Sequence, residues 1–152
     1  MTRFVGIDPG REGACVVIGD DGVTVIDMVQ WARAAEPVPV PVLSGDVVAV
    51  EAAYVGKNVR SAMSLQFWRG RLIDRLPTGI TLLEPTATIW RAKVLRRPRM
   101  TRVVAKAVAM EAARLHAVGL PEVYPDHVAE AFLLARYSWG WAAAHPAEVV
   151  GG

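Results

Sequence analysis

Short runs of valine and isoleucine alternate with turn-forming residues along the first third of the chain. This pattern predicts three β-strands joined by tight turns, because β-branched residues favour strands while Asp, Pro and Gly favour turns. Two more apolar runs follow, and the first of them is apolar at every position, as expected for a strand that is buried on both faces. The predicted strands are Arg3–Ile7, Ala14–Ile18, Val23–Val29, Val47–Val50 and Ile80–Leu83.

Later in the chain, apolar residues recur every three or four positions, which is the spacing of a helix with one buried face. A connection that contains Pro37, Pro39 and Pro41 interrupts the strands, since proline fits the interior of neither a sheet nor a helix. A meander of three strands followed by alternating helices and strands predicts a mixed-sheet α/β domain. The predicted helices are Asn58–Leu76, Thr86–Leu95, Thr101–Ala117 and Asp126–Trp141.

The 152 residues suit a single domain, which we assign to residues 1–141, and the small residues at 142–152 predict a frayed C-terminal tail. Apolar residues make up 53% of the chain, which excludes disorder as its overall state. No apolar run reaches the ~18 residues of a membrane span, and no signal-peptide pattern opens the chain. The single cysteine, Cys15, cannot form an internal disulfide. We therefore expect a soluble protein of a reducing compartment, with no membrane partner.

The charged residues are unevenly distributed, although the net charge is only +2. Fourteen of the 17 basic residues are arginines, which suit bidentate contacts with phosphates. No acid lies between Pro85 and Met110, so this stretch predicts a surface for a polyanion. The alternative is that the arginines reflect only a GC-rich genome. The basic residues of the stretch are Arg91, Lys93, Arg96, Arg97, Arg99, Arg102 and Lys106.

Two carboxylates close predicted strands. Asp8 ends the first strand in the sequence Gly-Ile-Asp-Pro-Gly, where an ordinary turn-forming role is the simpler alternative. Glu51 directly follows the buried fourth strand. A lone carboxylate there costs several kcal/mol unless it is neutralised, paired or bound to a metal, so Glu51 is the stronger candidate for a functional residue.

Three further polar residues lie near the start of the last predicted helix. Asp126 and Glu130 are four residues apart and share a helix face, and His127 neighbours Glu130. Asp126 could instead cap the helix, and a lone histidine at a helix end is more often a surface residue than a ligand. Glu130 belongs to the apolar stripe that continues through Leu133 and Tyr137, so its carboxylate requires a cation.

Carboxylates at the ends of two strands and on a helix facing the sheet could converge on one divalent-metal site. Oxygen ligands suit Mg²⁺ or Mn²⁺. A pair of such ions about 3.5–4 Å apart activates water and stabilises the leaving oxygen in phosphodiester hydrolysis. The sequence contains no competing Ser–His–Asp or thiolate arrangement. The residues therefore favour metal-dependent phosphodiester hydrolysis.

Three motifs of this sequence resemble those of the RuvC-like Holliday junction resolvases of bacteria and their phages, members of the RNase H-like superfamily. The motifs are Gly6–Gly10, Val50–Asn58 and Asp126–Ala131, in the family's order. The resemblance implies an α/β RNase H-like fold, with a five-stranded mixed β-sheet flanked by α-helices. It also implies a homodimer that makes paired, Mg²⁺-dependent cuts in a four-way DNA junction, with Mn²⁺ as a substitute ion. Such a protein acts in DNA recombination and repair, in the cytoplasm of a bacterial cell or a phage-infected host.

The resemblance also assigns catalytic residues, position by position. Asp8, Glu51 and Glu130 match the metal-binding carboxylates of the family. The remaining ligand matches either His127, as in cellular members, or Asp126, as in several phage members. We keep both as candidates.

DNA contacts follow from the same resemblance. Tyr54 matches an aromatic residue that stacks at the junction centre, although an ordinary packing role is the alternative. Arg91 and Arg102 match basic residues near the scissile phosphate, where relatives usually have lysine. The other predicted DNA-binding residues are Lys57, Asn58, Lys93, Arg96, Arg97 and Arg99.

Lys57 and Asn58 also begin the helix that resembles the dimer-forming helix of the family. Its apolar stripe predicts the dimer interface, with packing onto the sheet as the ordinary alternative. The residues of this stripe are Ala62, Leu65, Trp68 and Leu72.

Three other functions compete with junction cleavage. One is an RNase H-like nuclease that acts on other branched DNA or on RNA–DNA hybrids, and another is a non-catalytic junction-binding protein. The loop Gly6–Gly10 also resembles the phosphate loop of sugar kinases and actin-like ATPases. Those enzymes need two such domains around a nucleotide, for which 152 residues leave no room.

Overall fold

The computed structural model describes residues 1–53, 58–97 and 99–150. Every predicted strand and helix is present, and the ends differ from the predictions by at most three residues. The strands are β1 (Phe4–Asp8), β2 (Gly13–Ile18), β3 (Val25–Trp31), β4 (Val47–Val50) and β5 (Thr81–Leu83). The helices are α1 (Val59–Asp74), α2 (Ala87–Val94), α3 (Arg102–His116) and α4 (Asp126–Ala144).

The five strands form one mixed sheet in the order β3-β2-β1-β4-β5. Short turns join β1, β2 and β3 into an antiparallel meander, as the sequence predicts. The pairs β1–β4 and β4–β5 are parallel. β1 and β4 are parallel neighbours, with Ile7 opposite Val50. The residues that follow, Asp8 and Glu51, therefore lie side by side at the carboxyl ends of these two strands.

Each face of the sheet carries its own apolar core. On one face, alternate residues of β1, such as Phe4, pack with Phe132 and the other buried residues of α4. On the opposite face, Val5 and Ile7 pack with Trp68 and Leu72 of α1. Because successive strand residues point to opposite faces, Asp8 shares the α4 side with Phe4 and Gly6.

Gly6 lets α4 lie directly on the centre of the sheet. A Cβ atom at Gly6 would be 1.9 Å from the carbonyl oxygen of Ala131 and 2.3 Å from the amide nitrogen of Ala135. Real atoms do not approach so closely, so any side chain at this position would push the helix away from β1. The absence of a side chain here therefore sets the distance between Asp8 and the residues on α4.

Polar side chains cap three of the four helices, whereas α4 begins after Pro125 with no side-chain cap. The Asn58 side chain accepts a hydrogen bond from the Ser61 backbone N–H at 3.1 Å. Thr86 and Thr101 do the same at the starts of α2 and α3. Such caps satisfy backbone donors that have no partner inside the helix. Asn58, a predicted DNA-binding residue, thus has a structural role at the start of α1.

The α1 stripe predicted as a dimer interface faces the sheet instead. Ala62, Trp68 and Leu72 are buried, and Leu65 is half-buried. The ordinary alternative, packing onto the sheet, is therefore correct for these residues. The apolar side chains that α1 leaves exposed are Val59, Met63 and Phe67.

The last helix is longer than predicted. α4 continues three residues past Trp141 to Ala144, with Ala142 buried, and a 3₁₀ turn follows at Pro146–Glu148. α4 thus extends into the segment 142–152, and the assignment of that segment as a frayed tail stays a prediction. Among the described residues, no helix is long and apolar enough to cross a membrane.

Candidate functional site

Glu51 is held from two directions at the end of β4. The indole N–H of Trp90, on α2, donates a hydrogen bond to Glu51 Oε2 at 2.7 Å. The backbone carbonyl of Glu51 accepts a hydrogen bond from Arg69 Nε, on α1, at 2.8 Å. Arg69 is itself fixed by an ion pair with Glu84 at 2.6 Å. Both the backbone and the carboxylate of Glu51 therefore have fixed positions.

Glu130 reaches the same region from α4. It is 8% exposed and faces the sheet, as its place on the apolar stripe predicts. The nearest cation is Arg91, whose Nη2 lies 3.4 Å from Glu130 Oε1. The Arg91 guanidinium also lies over the Trp90 ring, with Cζ 5.2 Å from the ring centroid. Arg91 thus lies beside Glu130, and its predicted role near the scissile phosphate stays a prediction.

His127 and Asp126 have different partners at the start of α4. His127 Nδ1 is 2.9 Å from Asp8 Oδ2, which joins the helix to the end of β1. His127 Nε2 is 3.7 Å from Glu12 Oε2. Asp126 instead forms an ion pair with Lys106 of α3. Both fourth-ligand candidates are therefore close to the carboxylates, and His127 is the one in contact with Asp8.

Burial and, after it, neighbouring negative charge raise the pKa values of the three carboxylates. Burial, followed by the neighbouring charge of Asp8, raises the pKa of Glu51 to about 6. Burial and the charges of Asp8 and Glu51 raise the pKa of Glu130 to about 7. Burial also raises the pKa of Asp8, against the opposing effect of its hydrogen bond with His127. The carboxylates of Asp8, Glu51 and Glu130 therefore lie close enough to repel one another in a space that is partly shielded from water.

The two residues at the start of α4 shift in the direction that favours their charged forms. The hydrogen bond with Asp8 is the main cause that raises the pKa of His127. Burial would raise the pKa of Asp126, but the Lys106 ammonium and His127 outweigh it and lower that pKa. The site therefore combines carboxylates that resist ionisation with a histidine and an aspartate whose charged forms are favoured by their neighbours.

This donor set suits a hard divalent cation. Carboxylate oxygens are the ligands that Mg²⁺ and Mn²⁺ prefer, and a dication beside Glu51 and Glu130 would relieve their mutual repulsion. In the described residues, no group of three or more His, Cys, Asp or Glu side chains is already arranged as a metal-binding cluster. The hydrogen bonds of Asp8 with His127 and of Glu51 with Trp90 use one oxygen of each carboxylate, Oδ2 and Oε2, so the second oxygen of each is the one that would ligate a cation.

The predicted DNA-binding basic residues that follow Arg91 in the chain are exposed to solvent. Lys93, Arg96, Arg97 and Arg99 are exposed around the connection from α2 to α3, and Arg102 is exposed at the first turn of α3. Tyr54 and Lys57 lie outside the described residues. The DNA contacts assigned to all of these residues stay predictions.

Two residues that support the site were not singled out from the sequence. Trp90 is fully buried. From the sequence alone, a tryptophan in a short helix indicates only a packing role in the core. Arg69 directly follows Trp68 in α1, and both side chains are buried. A charged residue on a buried stripe was the available signal for Arg69.

The chain was compared with known proteins. No family model matches it, and no curated protein matches it. Among solved structures, it is similar to "T. thermophilus RuvC in complex with Holliday junction substrate". The two chains share 13% sequence identity with a TM-score of 0.61, and the match covers 99% of each.

This chain has an RNase H-like fold. The sheet order, the mixed strand directions and the flanking helices agree with the fold that the three motifs imply. In this RNase H-like fold, the three acidic motif residues lie on the central strands β1 and β4 and on α4, the helix that packs against them. A similarity at 13% identity describes the fold alone, so the activity must be argued from the side chains of this chain.

Proposed function

We propose that this protein is a metal-dependent endodeoxyribonuclease that resolves four-way DNA junctions. The observation that carries the proposal is that Asp8 of β1, Glu51 at the end of β4 and Glu130 of α4 lie close enough for the charge of Asp8 to raise the pKa of both glutamates. Burial is the main cause of the raised pKa values of Glu51 and Glu130, and buried acidic groups with raised pKa values are candidates for functional residues. The similarity in fold to a RuvC bound to a Holliday junction supports this choice of substrate.

In this proposal Asp8, Glu51 and Glu130 hold Mg²⁺, or Mn²⁺ in its place, and His127 or Asp126 completes the set. The bound ions would activate water and stabilise the leaving oxygen of the phosphodiester.

Trp90 and Arg69 keep Glu51 in place through its carboxylate and its backbone. Arg91 lies beside Glu130 and would orient the scissile phosphate through a bidentate contact.

The exposed bases around the α2–α3 connection would bind the phosphates of the junction arms. This stretch contains Lys93, Arg96, Arg97, Arg99 and Arg102. Contacts of this kind fix the position of DNA without reading its sequence. Paired cuts in opposing strands require two active sites, so the proposal includes a two-fold homodimer.

A cleavage assay with and without Mg²⁺ tests the proposal on three substrates: a four-way junction, a flap and an RNA–DNA hybrid. We expect preferential cutting of the junction. Glu51→Gln and Glu130→Gln keep the shape of the side chain but remove its charge, so cleavage should fall at least roughly 100-fold while junction binding survives. Glu122→Gln, at an exposed position on the α3–α4 connection, is the matched control.

The outcomes separate the competing functions. Preferential cleavage of the flap or the hybrid would identify a related nuclease with another substrate. Binding of the junction without cleavage under any metal condition would identify a non-catalytic junction-binding protein. Cleavage by Glu51→Gln or Glu130→Gln at the wild-type rate would show that the metal-site assignment is wrong.

A further inference from the structure

A cavity of about 480 Å³ lies between the end of α2 and the second half of α4, away from the acidic site. Its volume is in the range of small-molecule sites. Aromatic and cationic side chains dominate its lining, and among the described residues that form it none is acidic. The aromatic rings are those of Tyr137, Trp139 and Trp141, and the principal cations are Lys93, Arg96 and Arg136.

The aromatic rings are held in place. Trp141 stacks on His145 with ring centroids 4.5 Å apart and an angle of 13° between the planes. The indole N–H of Trp139 donates to the backbone carbonyl of Asp20 at 2.9 Å. The Trp139 ring also packs against Gly22, so Trp141, whose orientation is fixed by its stack with His145, is the ring best placed to offer a stacking surface at little entropic cost. Stacking on aromatic side chains is the common way in which proteins hold an unpaired base.

Arg136 adds a cation that has no acidic partner. It is half-buried in the cavity wall, burial lowers its pKa, and it forms no ion pair in the described part of the chain. Glu111, which lines a neighbouring cavity together with Arg136, is paired with Arg114 instead. An unpaired guanidinium that is partly removed from water favours an anionic ligand. The guanidinium geometry matches a phosphate group.

Arg96 lies in an unusual backbone conformation at the edge of the cavity. Its φ angle is 55°, in the left-handed region, directly after the residue that ends α2. Glycine normally occupies this helix-ending position because it has no Cβ. An arginine here directs a second cation to the same cavity as Arg136.

We propose that this cavity binds one unpaired nucleotide of a DNA strand, with the base on the aromatic rings and the phosphate beside Arg136 and Arg96. The inference rests on the proposed function, which supplies the strand. Tyr137 and Trp141 follow Glu130 by seven and eleven residues, which is roughly 10 and 17 Å along α4. At about 3.4 Å per nucleotide of a duplex strand, the bound nucleotide lies roughly three to five positions from the scissile phosphate.

Gly140 provides a variant that fills the cavity without disturbing the fold. It lies within α4 and lines the cavity, and an added Cβ would meet no atom within 4 Å. Gly140→Leu should therefore occupy the space of the ligand. Gly140→Ala is the matched control, because it makes the same change in helix propensity but adds only a methyl group.

The experiment measures binding of a fluorescein-labelled single-stranded pentadeoxynucleotide by anisotropy, in chelator and at low salt. We expect Gly140→Leu to weaken binding by roughly 5- to 150-fold, the range for loss of a base–aromatic stack, and Gly140→Ala to bind like the wild type. Arg136→Gln should also weaken binding and reduce its salt dependence, whereas Arg114→Gln, which removes a surface arginine paired with Glu111, should not. Wild-type affinity in both Gly140→Leu and Arg136→Gln would overturn the proposal.

Competition identifies what the cavity recognises. Deoxyadenosine 5′-monophosphate should displace the labelled strand better than deoxyadenosine or inorganic phosphate. Equal displacement by inorganic phosphate would exclude a role for the rings, and equal displacement by the mononucleotide and unlabelled pentanucleotide would exclude a strand site. Because no metal or cleavage is involved, a failure of the nuclease proposal in its own assay is distinguishable from a failure of this one.

Discussion

Glu130 is a buried carboxylate whose nearest counter-charge, Arg91, is 3.4 Å away and shared with the Trp90 ring. The pKa of Glu130 in the folded protein, about 7, is above its ordinary value of 4.5. The folded state therefore binds this proton more tightly than the unfolded state. The resulting stabilisation is complete below pH 4.5 and is lost as the pH rises to about 7.

We expect Glu130→Gln to be more stable than the wild type at pH 8 in chelator, by roughly 2 kcal/mol, because it removes the buried negative charge. At pH 4 the two proteins should have nearly equal free energies of unfolding. Mg²⁺ at pH 8 should raise the Tm of the wild type but not that of the variant. Urea unfolding at both pH values and thermal scans with Mg²⁺ measure this, with Glu122→Gln as the exposed control. Equal stability of wild type and Glu130→Gln at pH 8 would contradict the electrostatic account of the site.

The same residue scale shows which parts of the site the sequence could predict. Glu51 and Glu130 stand out because a charge at a buried position of a strand or helix is costly and rare. Trp90 and Trp68 are both buried tryptophans, yet Trp90 donates to Glu51 while Trp68 Nε1 has no partner in the described residues. Their roles differ because Trp90 lies beside the end of β4, whereas Trp68 stacks on Trp31 with ring centroids 5.6 Å apart, and these contacts exist only in the folded chain.

At the scale of elements, the strands and helices follow from local pattern, and their ends follow from caps and turns. The close contact between α4 and β1 depends on Gly6, because only a residue without a side chain leaves room for the backbone of α4. From the sequence, Gly6 belongs to the motif Gly6–Gly10 and to the first predicted strand. Its role in the approach of the helix required the three-dimensional packing. The same packing set the end of α4 at Ala144, since Ala142 is buried against the rest of the core.

We expect Gly6→Ala to be strongly destabilising, because its Cβ would overlap the backbone of α4 at Ala131. Overpacking of this kind typically costs about 1–3 kcal/mol and is larger where backbone must move. The shift should also separate Asp8 from His127, so cleavage should fall further than the loss of folded protein explains. Urea unfolding and cleavage per folded molecule measure the two effects. Gly19→Ala, whose Cβ would meet only Ile26 at 3.9 Å, is the control, and similar stability of the two variants would contradict the packing argument.

At the scale of the whole molecule, one face of α1 packs against the sheet and the other face is exposed to solvent. Its buried face holds the sheet, while Val59, Met63 and Phe67, at 54%, 68% and 68% exposure, form an apolar row on the outside. Arg71 lies over the Phe67 ring, with Cζ 5.6 Å from the centroid. In the homodimer that the proposed function requires, this outer row is our candidate for the interface.

Phe67→Glu should therefore convert a dimer into a monomer at micromolar concentration while leaving the fold intact, since the side chain is already exposed. Charges are unfavourable at the centre of an interface. Sedimentation velocity with and without junction DNA measures the change, and circular dichroism checks the fold. Val123→Glu, at a position that is 86% exposed on the α3–α4 connection, is the control. A wild-type protein that is monomeric even on a junction, or a Phe67→Glu variant that stays dimeric, would contradict this interface.

The contact between Asp8 and His127 joins residues that are 119 positions apart in the chain. During synthesis, the ribosome makes β1 first, and α4 follows only after the rest of the sheet. A nascent chain can form the β1–β2–β3 meander early, whereas contacts between distant residues close late because of their loop entropy. A cell would therefore contain no partly made chain with an assembled acidic centre. If the proposed nuclease activity is correct, its onset is tied to the last folding step, and cellular DNA meets only molecules that have completed it.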